Sequence, residues 1–243
     1  MEIKAPQVSC SKSSASTPFQ LIFFFLPSTA DPTTTSGPNG SIYWLDCGIQ
    51  DGGIQDGGWN PPSFTTDDVI AKDLSQAGDL YSPCQPYFDT FNTVAKSYNL
   101  PAILLAAIAM QESTCNADIT GPNGEQGLMQ ITVEKCPGGY ASDACKDAYY
   151  NIDAGAKYLR STLDRFNGNL LQAVGTYNGW FKGMTYDDAT GARSNNQCYA
   201  QNNLDYLHQV FNGWMQGVNP DDPYNNNDPN ARMGVFFNLD GCK

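Results

Sequence analysis

The stretch Ala102-Ile103-Leu104-Leu105-Ala106-Ala107-Ile108-Ala109-Met110-Gln111-Glu112-Ser113 decides how this 243-residue chain is read. Pro101 precedes it, where a fixed φ and a missing N–H suit the first turn of a helix. The segment is apolar on every side until Gln111, and a helix apolar all round is a buried, central one. It is too short to cross a bilayer, which takes roughly 20 residues. Glu112 emerges at its end. A carboxyl held there is partly desolvated, which disfavours its ionised form and raises its pKa. A Glu that stays protonated near neutral pH can protonate a leaving oxygen. The plain alternative is that Gln111, Glu112 and Ser113 mark the point where the helix meets solvent.

Helical spacing continues on both sides. Phe88, Phe91, Val94, Ala95 and Tyr98 share one face of a preceding helix. Asn151 is placed to cap a helix running to about Phe166, with Ile152, Ala156, Leu159, Leu163 and Phe166 on its buried stripe. Leu170 to Asn178 reads as a short helix, and Asn203 to Met215 as another, with Leu204, Leu207, Val210, Phe211 and Trp214 inward. Residues 179 to 198 between them read as a Gly- and Asn-rich loop, and no alternating strands follow residue 84. The expected organisation is an all-α domain over residues 84–243, preceded by an irregular Pro/Gly/Ser-rich extension over residues 1–83.

Composition narrows the function classes. With 13 Lys+Arg against 25 Asp+Glu the formal net charge is −12. That excludes a nucleic-acid binder, which needs a basic face to displace counterions, and argues against docking on an anionic membrane. Cys10, Cys47, Cys84, Cys115, Cys136, Cys145, Cys198 and Cys242 form no C-x-x-C pair, and His208 is the single histidine. A zinc site is therefore poorly supplied, no metal or other cofactor is expected, and the even cysteine count reads as a disulfide framework in an oxidising compartment. Eight cysteines allow 105 pairings, and the sequence does not choose among them. A secreted monomer is the expectation.

The extension is less informative. Leu21 to Leu26 followed by Ser28-Thr29-Ala30 has the outline of a signal peptide. Its apolar run is short, however, and removal would discard Cys10, so a retained, buried strand is the preferred reading. Gly48-Ile49-Gln50-Asp51-Gly52 repeats as Gly53-Ile54-Gln55-Asp56-Gly57, too few copies for a solenoid. A turn-rich extension tied down by cysteines is preferred over a sugar-stacking surface built from Tyr43 and Trp59. Asn39-Gly40-Ser41 has the form of a glycosylation sequon.

Three motifs give Glu112 its context. Glu112-Ser113 is followed by Gly127-Leu128-Met129-Gln130-Ile131, with Asn151-Ile152, Gly155 and Tyr158-Leu159 further on, and then by Ala173-Val174-Gly175-Thr176-Tyr177-Asn178-Gly179. Each alone is weak, but their order and spacing over roughly residues 85 to 215 resemble the lytic transglycosylase and goose-type lysozyme group, family 23 of the glycoside hydrolases. The resemblance implies a lysozyme-like α-helical domain with one saccharide cleft. It makes Glu112 the catalytic acid and Ser113 a residue that caps the helix end and orients that carboxyl. It implies close backbone approach at Gly127, a soft floor for a sugar face at Met129, and an amide for N-acetyl or hydroxyl groups at Gln130. Tyr177 would hold the Glu112 carboxyl or stack on a ring, Asn178 would bond an N-acetyl carbonyl, and Tyr206 matches the family's late cleft tyrosine. Ordinary helix packing is the competing account of these binding residues.

Departures from the family pattern bear on mechanism. Cys115 stands where the transglycosylases place an aromatic, suggesting a disulfide at the cleft wall. Asn202 and Thr132 stand where partner carboxylates occur in relatives, leaving Asp118, Glu125 and Glu134 as candidates for a second carboxylate. An inverting hydrolase needs such a group about 6.5–9.5 Å from the acid, and a retaining one about 5 Å. A transglycosylase-like route needs Glu112 alone, with the substrate's N-acetyl group stabilising the cation. The leading expectation is cleavage of peptidoglycan at the β-1,4 bond between N-acetylmuramic acid and N-acetylglucosamine. A chitin-cleaving enzyme of the same fold is the runner-up, and a non-catalytic N-acetyl-sugar-binding protein the rival of another class.

Overall fold

A computed structural model describes residues 31–49, 57–137, 143–221 and 232–242. The expected strand at residues 21–26, Cys10 and most of the five-residue repeat lie outside them. The described part is mostly α. Its sheet is a single hairpin of β1 (Ser36–Gly37) and β2 (Gly40–Ser41), followed by the short α1 (Ile42–Leu45).

The helix α3 spans Ala102–Ser113 as its sequence predicts, and every residue from Ile103 to Met110 is buried. Against it pack α2 (Phe88–Tyr98) and α4 (Ala148–Arg165), and α5 (Leu170–Tyr177) packs on α4. The α2 face is the expected one, with Phe91, Val94 and Ala95 buried. The cap of α4 differs from expectation. Asp147 accepts the Tyr150 N–H at 2.8 Å, and Asn151 lies inside the helix, fully buried. Asp147 and Asn151 are one helical turn apart and chemically equivalent as caps, so spacing alone could not separate them.

The region read as a loop after Asn178 contains α6 (Tyr186–Thr190), begun by a capping box between Thr185 and Asp188. The last expected helix starts later than Asn203. It opens as one α-helical turn, α7 (Tyr206–His208), widens into a π-helical segment at Gln209–Gly213 and closes as 3₁₀ at Trp214–Gln216.

Residues 31–49 and 57–83 contribute side chains to the same core. Trp44, Leu45, Ile49, Trp59, Phe64, Leu74 and Tyr81 belong to the one buried cluster that contains α3. Phe64 meets Phe211 edge-on at 5.6 Å, and Trp59 meets Trp180 edge-on at 5.0 Å. The Tyr81 hydroxyl donates to the Trp214 carbonyl at 2.9 Å. Trp59 is 1% exposed, so it cannot stack on a sugar, whereas Tyr43 is 43% exposed. Asn39 is also fully buried and donates to Ile70 O and Phe211 O at 2.8 and 2.7 Å. A glycan on that sequon is incompatible with the folded chain.

Disulfides join Cys84 to Cys115, Cys136 to Cys145 and Cys198 to Cys242, and Cys47 is disulfide-bonded as well. The first ties the lead-in to α2 to the residue that follows the end of α3.

Candidate active site

Glu112 lies in the last turn of α3, where Thr114 and Cys115 stop the helix with φ of 52° and 54°. Left-handed backbone is uncommon for such residues, and the Cys84 bridge holds one of them in place. The side chain retains partial exposure while its carboxyl is enclosed by protein. Burial pushes that carboxyl from 4.5 to about 7, a hydrogen bond from Tyr206 pulls the other way, and the charge of Glu125 adds to the rise. The negative end of the helix dipole at this terminus also disfavours a carboxylate. The expectation drawn from an apolar helix ending in Glu is therefore realised in the environment of Glu112.

Two tyrosines face this carboxyl. The Tyr206 hydroxyl donates to Glu112 Oε1 at 2.5 Å. Tyr177 is close enough to feel the Glu112 charge, but its hydroxyl donates to the Met129 carbonyl at 2.8 Å. Burial, with Glu112 next in rank, holds both phenols well above their usual value. They therefore stay protonated and act as donors.

The turn Gly127-Leu128-Met129-Gln130 is brought against the end of α3 by side chains that satisfy its backbone. Ser113 Oγ donates to the Leu128 carbonyl at 2.7 Å and accepts from Asn116 N at 3.1 Å. Ser113 thus fastens the turn to the helix end rather than bonding the Glu112 carboxyl. Asn151 does more than any residue named at this turn from the sequence. Its Oδ1 accepts from Met129 N at 2.7 Å, and its Nδ2 donates to Gln126 O and Cys145 O at 2.7 and 2.6 Å. Gly127, at φ 74°, allows that approach, since a Cβ there would lie 2.5 Å from the Asn151 amide nitrogen. The signal was present in the Asn151-Ile152 motif, but a cap was the simpler account of an Asn before an apolar stripe.

Other predicted roles are redistributed. Met129 is fully buried, with its sulfur packed where a Gly155 Cβ would be. It underlies the site and presents no floor to a sugar. Gln130 is half-buried at φ 47°, and its amide nitrogen is committed to Gly127 O at 2.9 Å. Asn178 accepts from Asn203 N through Oδ1 at 2.8 Å and from Asn202 Nδ2 through its carbonyl at 2.7 Å. Asn202 is thereby a strut of the site.

Of the candidate second carboxylates, Glu125 bears on Glu112 electrostatically. Its oxygens accept from Asn123 N and Asn123 Nδ2 at 3.1 and 3.2 Å, on the loop whose bridges join Thr120 to Gln126 and Gln126 to Ile131. Asp118 and Glu134 are exposed. Among the described residues no group of His, Cys, Asp and Glu could hold a metal ion, and no helix is long and apolar enough to cross a membrane.

Residues 89–197 match the family model described as the transglycosylase SLT domain, which stops short of Tyr206. A membrane-bound lytic murein transglycosylase F of Pseudomonas fluorescens is 31% identical over 105 residues, covering 43% of this chain and 21% of that protein. A transglycosylase of Enterobacteria phage PRD1 is 32% identical over 93 residues, covering 38% of this chain and 34% of its own length. The solved 70 kDa soluble lytic transglycosylase of Escherichia coli aligns at 26% identity and a TM-score of 0.35, over 54% of this chain and 22% of that one. The chain thus spans between a fifth and a third of the length of these relatives.

Proposed function

We propose that this chain, whose residues 89–197 match the transglycosylase SLT domain model, cleaves peptidoglycan at the β-1,4 bond between N-acetylmuramic acid and N-acetylglucosamine, with Glu112 as its single general acid and base. One observation carries this reading. The carboxyl at the end of α3 is raised to about 7 and bonded through Oε1 by Tyr206, where the three ordered motifs converge.

In the reaction Oε2 carries the proton, because Oε1 is the acceptor for Tyr206. It passes to the glycosidic oxygen as the C1–O bond breaks. The substrate's own N-acetyl carbonyl stabilises the cation at C1. The carboxylate left behind, still held by Tyr206, then removes a proton from the incoming hydroxyl. If that hydroxyl is the sugar's 6-OH, the product carries a 1,6-anhydro end; if it is water, the product is a reducing sugar. Glu125 is the carboxylate to test first for water activation, since its charge reaches Glu112. The disulfides support secretion into an oxidising compartment.

The test is mass spectrometry of products from purified peptidoglycan at acidic and neutral pH, beside Glu112→Gln. Muropeptides one water lighter identify an anhydro-forming transglycosylase, and hydrated ends identify a lysozyme. Retained turnover in Glu112→Gln refutes the assignment of Glu112. The net charge of −12 favours chitin, a neutral polymer with the same N-acetyl handle, as the second substrate. Turnover of chitin oligomers above that of walls would establish it, and turnover of neither would leave a sugar-binding module.

A further inference from the structure

We propose that Gln209 and Trp214 are positioning residues that clamp Gln111 and so fix the hydrogen bond from Tyr206 to Glu112; the inference rests on the catalytic role given to Glu112 above. Gln111 and Glu112 are neighbours on the last turn of α3 and leave it about 100° apart. Both cross to the tail helix. Glu112 meets Tyr206, while Gln111 Oε1 accepts from Trp214 Nε1 at 2.6 Å and Gln111 Nε2 donates to Gln209 Oε1 at 3.0 Å.

In an α-helix Gln209 and Trp214, five residues apart, would point to different sides. The π-helical segment Gln209–Gly213 removes that obstacle, because residues i and i+5 align in a π-helix. The Trp214 N–H reaches back to the Gln209 carbonyl, the bond that defines this widening. A π-turn thus sits where one glutamine must be held from two points. The Gln209 side chain is otherwise fully engaged, accepting from Asn203 Nδ2 at 2.9 Å and donating to Met233 O at 3.2 Å. Asn203 N in turn donates to Asn178 Oδ1, beside Tyr177. The clamp therefore joins α3, the tail helix and the end of α5.

Gln209 and Trp214 are each 5% exposed, so they act through the placement of Glu112 and not by touching substrate. The titratable groups around Glu112 are Tyr206 on the tail helix, Tyr177 on α5 with Tyr158 of α4 behind it, and Glu125 on the 120–131 loop. The amides and indole of the clamp carry no charge. They hold the same geometry whether Glu112 is protonated or ionised, as a group cycling between acid and base requires.

The experiment follows the Glu112 titration by carboxyl ¹³C NMR, which needs no turnover, in wild type, Trp214→Phe, Gln209→Leu, Tyr206→Phe and the two pairwise combinations with Tyr206→Phe. Trp214→Phe keeps an aromatic ring and deletes only the donor to Gln111, so it tests the clamp even if Gln209→Leu fails to fold. The Tyr206 bond favours the carboxylate. Loosening it should therefore tighten proton binding at Glu112 about threefold or more in each single variant, and add nothing in the Tyr206→Phe background. On peptidoglycan, kcat should fall about tenfold with KM unchanged. An unmoved Glu112 midpoint with only a lower Tm makes the two residues mere packing and overturns the proposal. A shift that persists without Tyr206 also overturns it. Shifted midpoints in a wild type that turns over no wall sink the functional reading and leave the clamp standing.

Discussion

Replacing Glu112 by Gln should stabilise the protein at alkaline pH and leave its stability unchanged at acidic pH. Burial lifts the carboxyl from 4.5 to about 7. Between those values the folded chain holds a proton that the unfolded chain releases, so wild-type stability falls as pH rises through that window. At 1.36 kcal/mol per tenfold in proton affinity the loss is roughly 3 kcal/mol, an upper value because the side chain keeps a solvent-facing edge. Gln carries no charge to desolvate, and its oxygen can still accept from the Tyr206 hydroxyl. Urea unfolding followed by tryptophan fluorescence at pH 4, 5, 6, 7 and 8 reads the effect as a change in midpoint at constant m. The variant should match wild type at pH 4 and exceed it by about 2–3 kcal/mol at pH 8. A gap of equal size at both ends would refute the reasoning, and so would a variant weaker than wild type at pH 8.

Asn151→Ala should cost about 3 kcal/mol or more, because it strands Met129 N, Gln126 O and Cys145 O together. Wall turnover should fall with it, and both are read by denaturation and product assay on one preparation. Replacing Cys84 and Cys115 by Ser removes a cross-link of sequence separation 31 and should lower stability by about 3–4 kcal/mol, read against oxidised wild type in the same titration without reductant. His208 is held down to about 4 by burial, against bonds to Thr33 O and Thr34 O. The unfolded chain then binds more protons below 6.5, so stability should decline as pH falls from there to about 4. His208→Gln should flatten that acid limb while losing about 1–2 kcal/mol at pH 7, which midpoints at pH 4.5 and 7 resolve.

The central helix was legible because its composition alone forces burial, and the position of Glu112 because a charged residue ends an apolar run. Gly127 was legible as a close approach through the resemblance, though what approaches it was not, and Gly175 was given no such role. At Gly127 it is Asn151, and at Gly175 it is the Trp59 ring, 2.5 Å from where a Cβ would be. Trp59 illustrates what the sequence of this N-terminal part did not disclose. The apolar side chains there are sparse and show no period, so only tertiary contact reveals that Trp44, Leu45, Ile49, Trp59, Phe64, Leu74 and Tyr81 join the core. The π-turn was hidden for the opposite reason. Leu207, Val210, Phe211 and Trp214 fit a 3.6-residue stripe well enough that widening it was unnecessary. Only the backbone bond from Trp214 N–H to the Gln209 carbonyl exposes it. Met129 was misjudged because a motif position fixes which residue is present but not which way its side chain turns.

The titrating groups set opposed limits on the pH at which the proposed chemistry and the fold coexist. The general acid must be protonated, which places its working range below about 7. Asp46 pushes the same way: it is fully buried, its oxygens lack hydrogen-bond partners among the described residues and Asp205 repels its charge, so its carboxyl stays well above the usual range. Ionising it at higher pH opposes folding. His208 sets the lower limit, since its ring must stay neutral between Thr33 and Thr34 and charges as pH approaches about 4. Between these limits the net charge, −12 at neutrality, shrinks as surface carboxylates take up protons. Repulsion from an anionic wall shrinks with it. The acid that protonates Glu112 therefore also eases approach of the proposed substrate, and a buried histidine two residues along from Tyr206 limits how much acid the fold withstands.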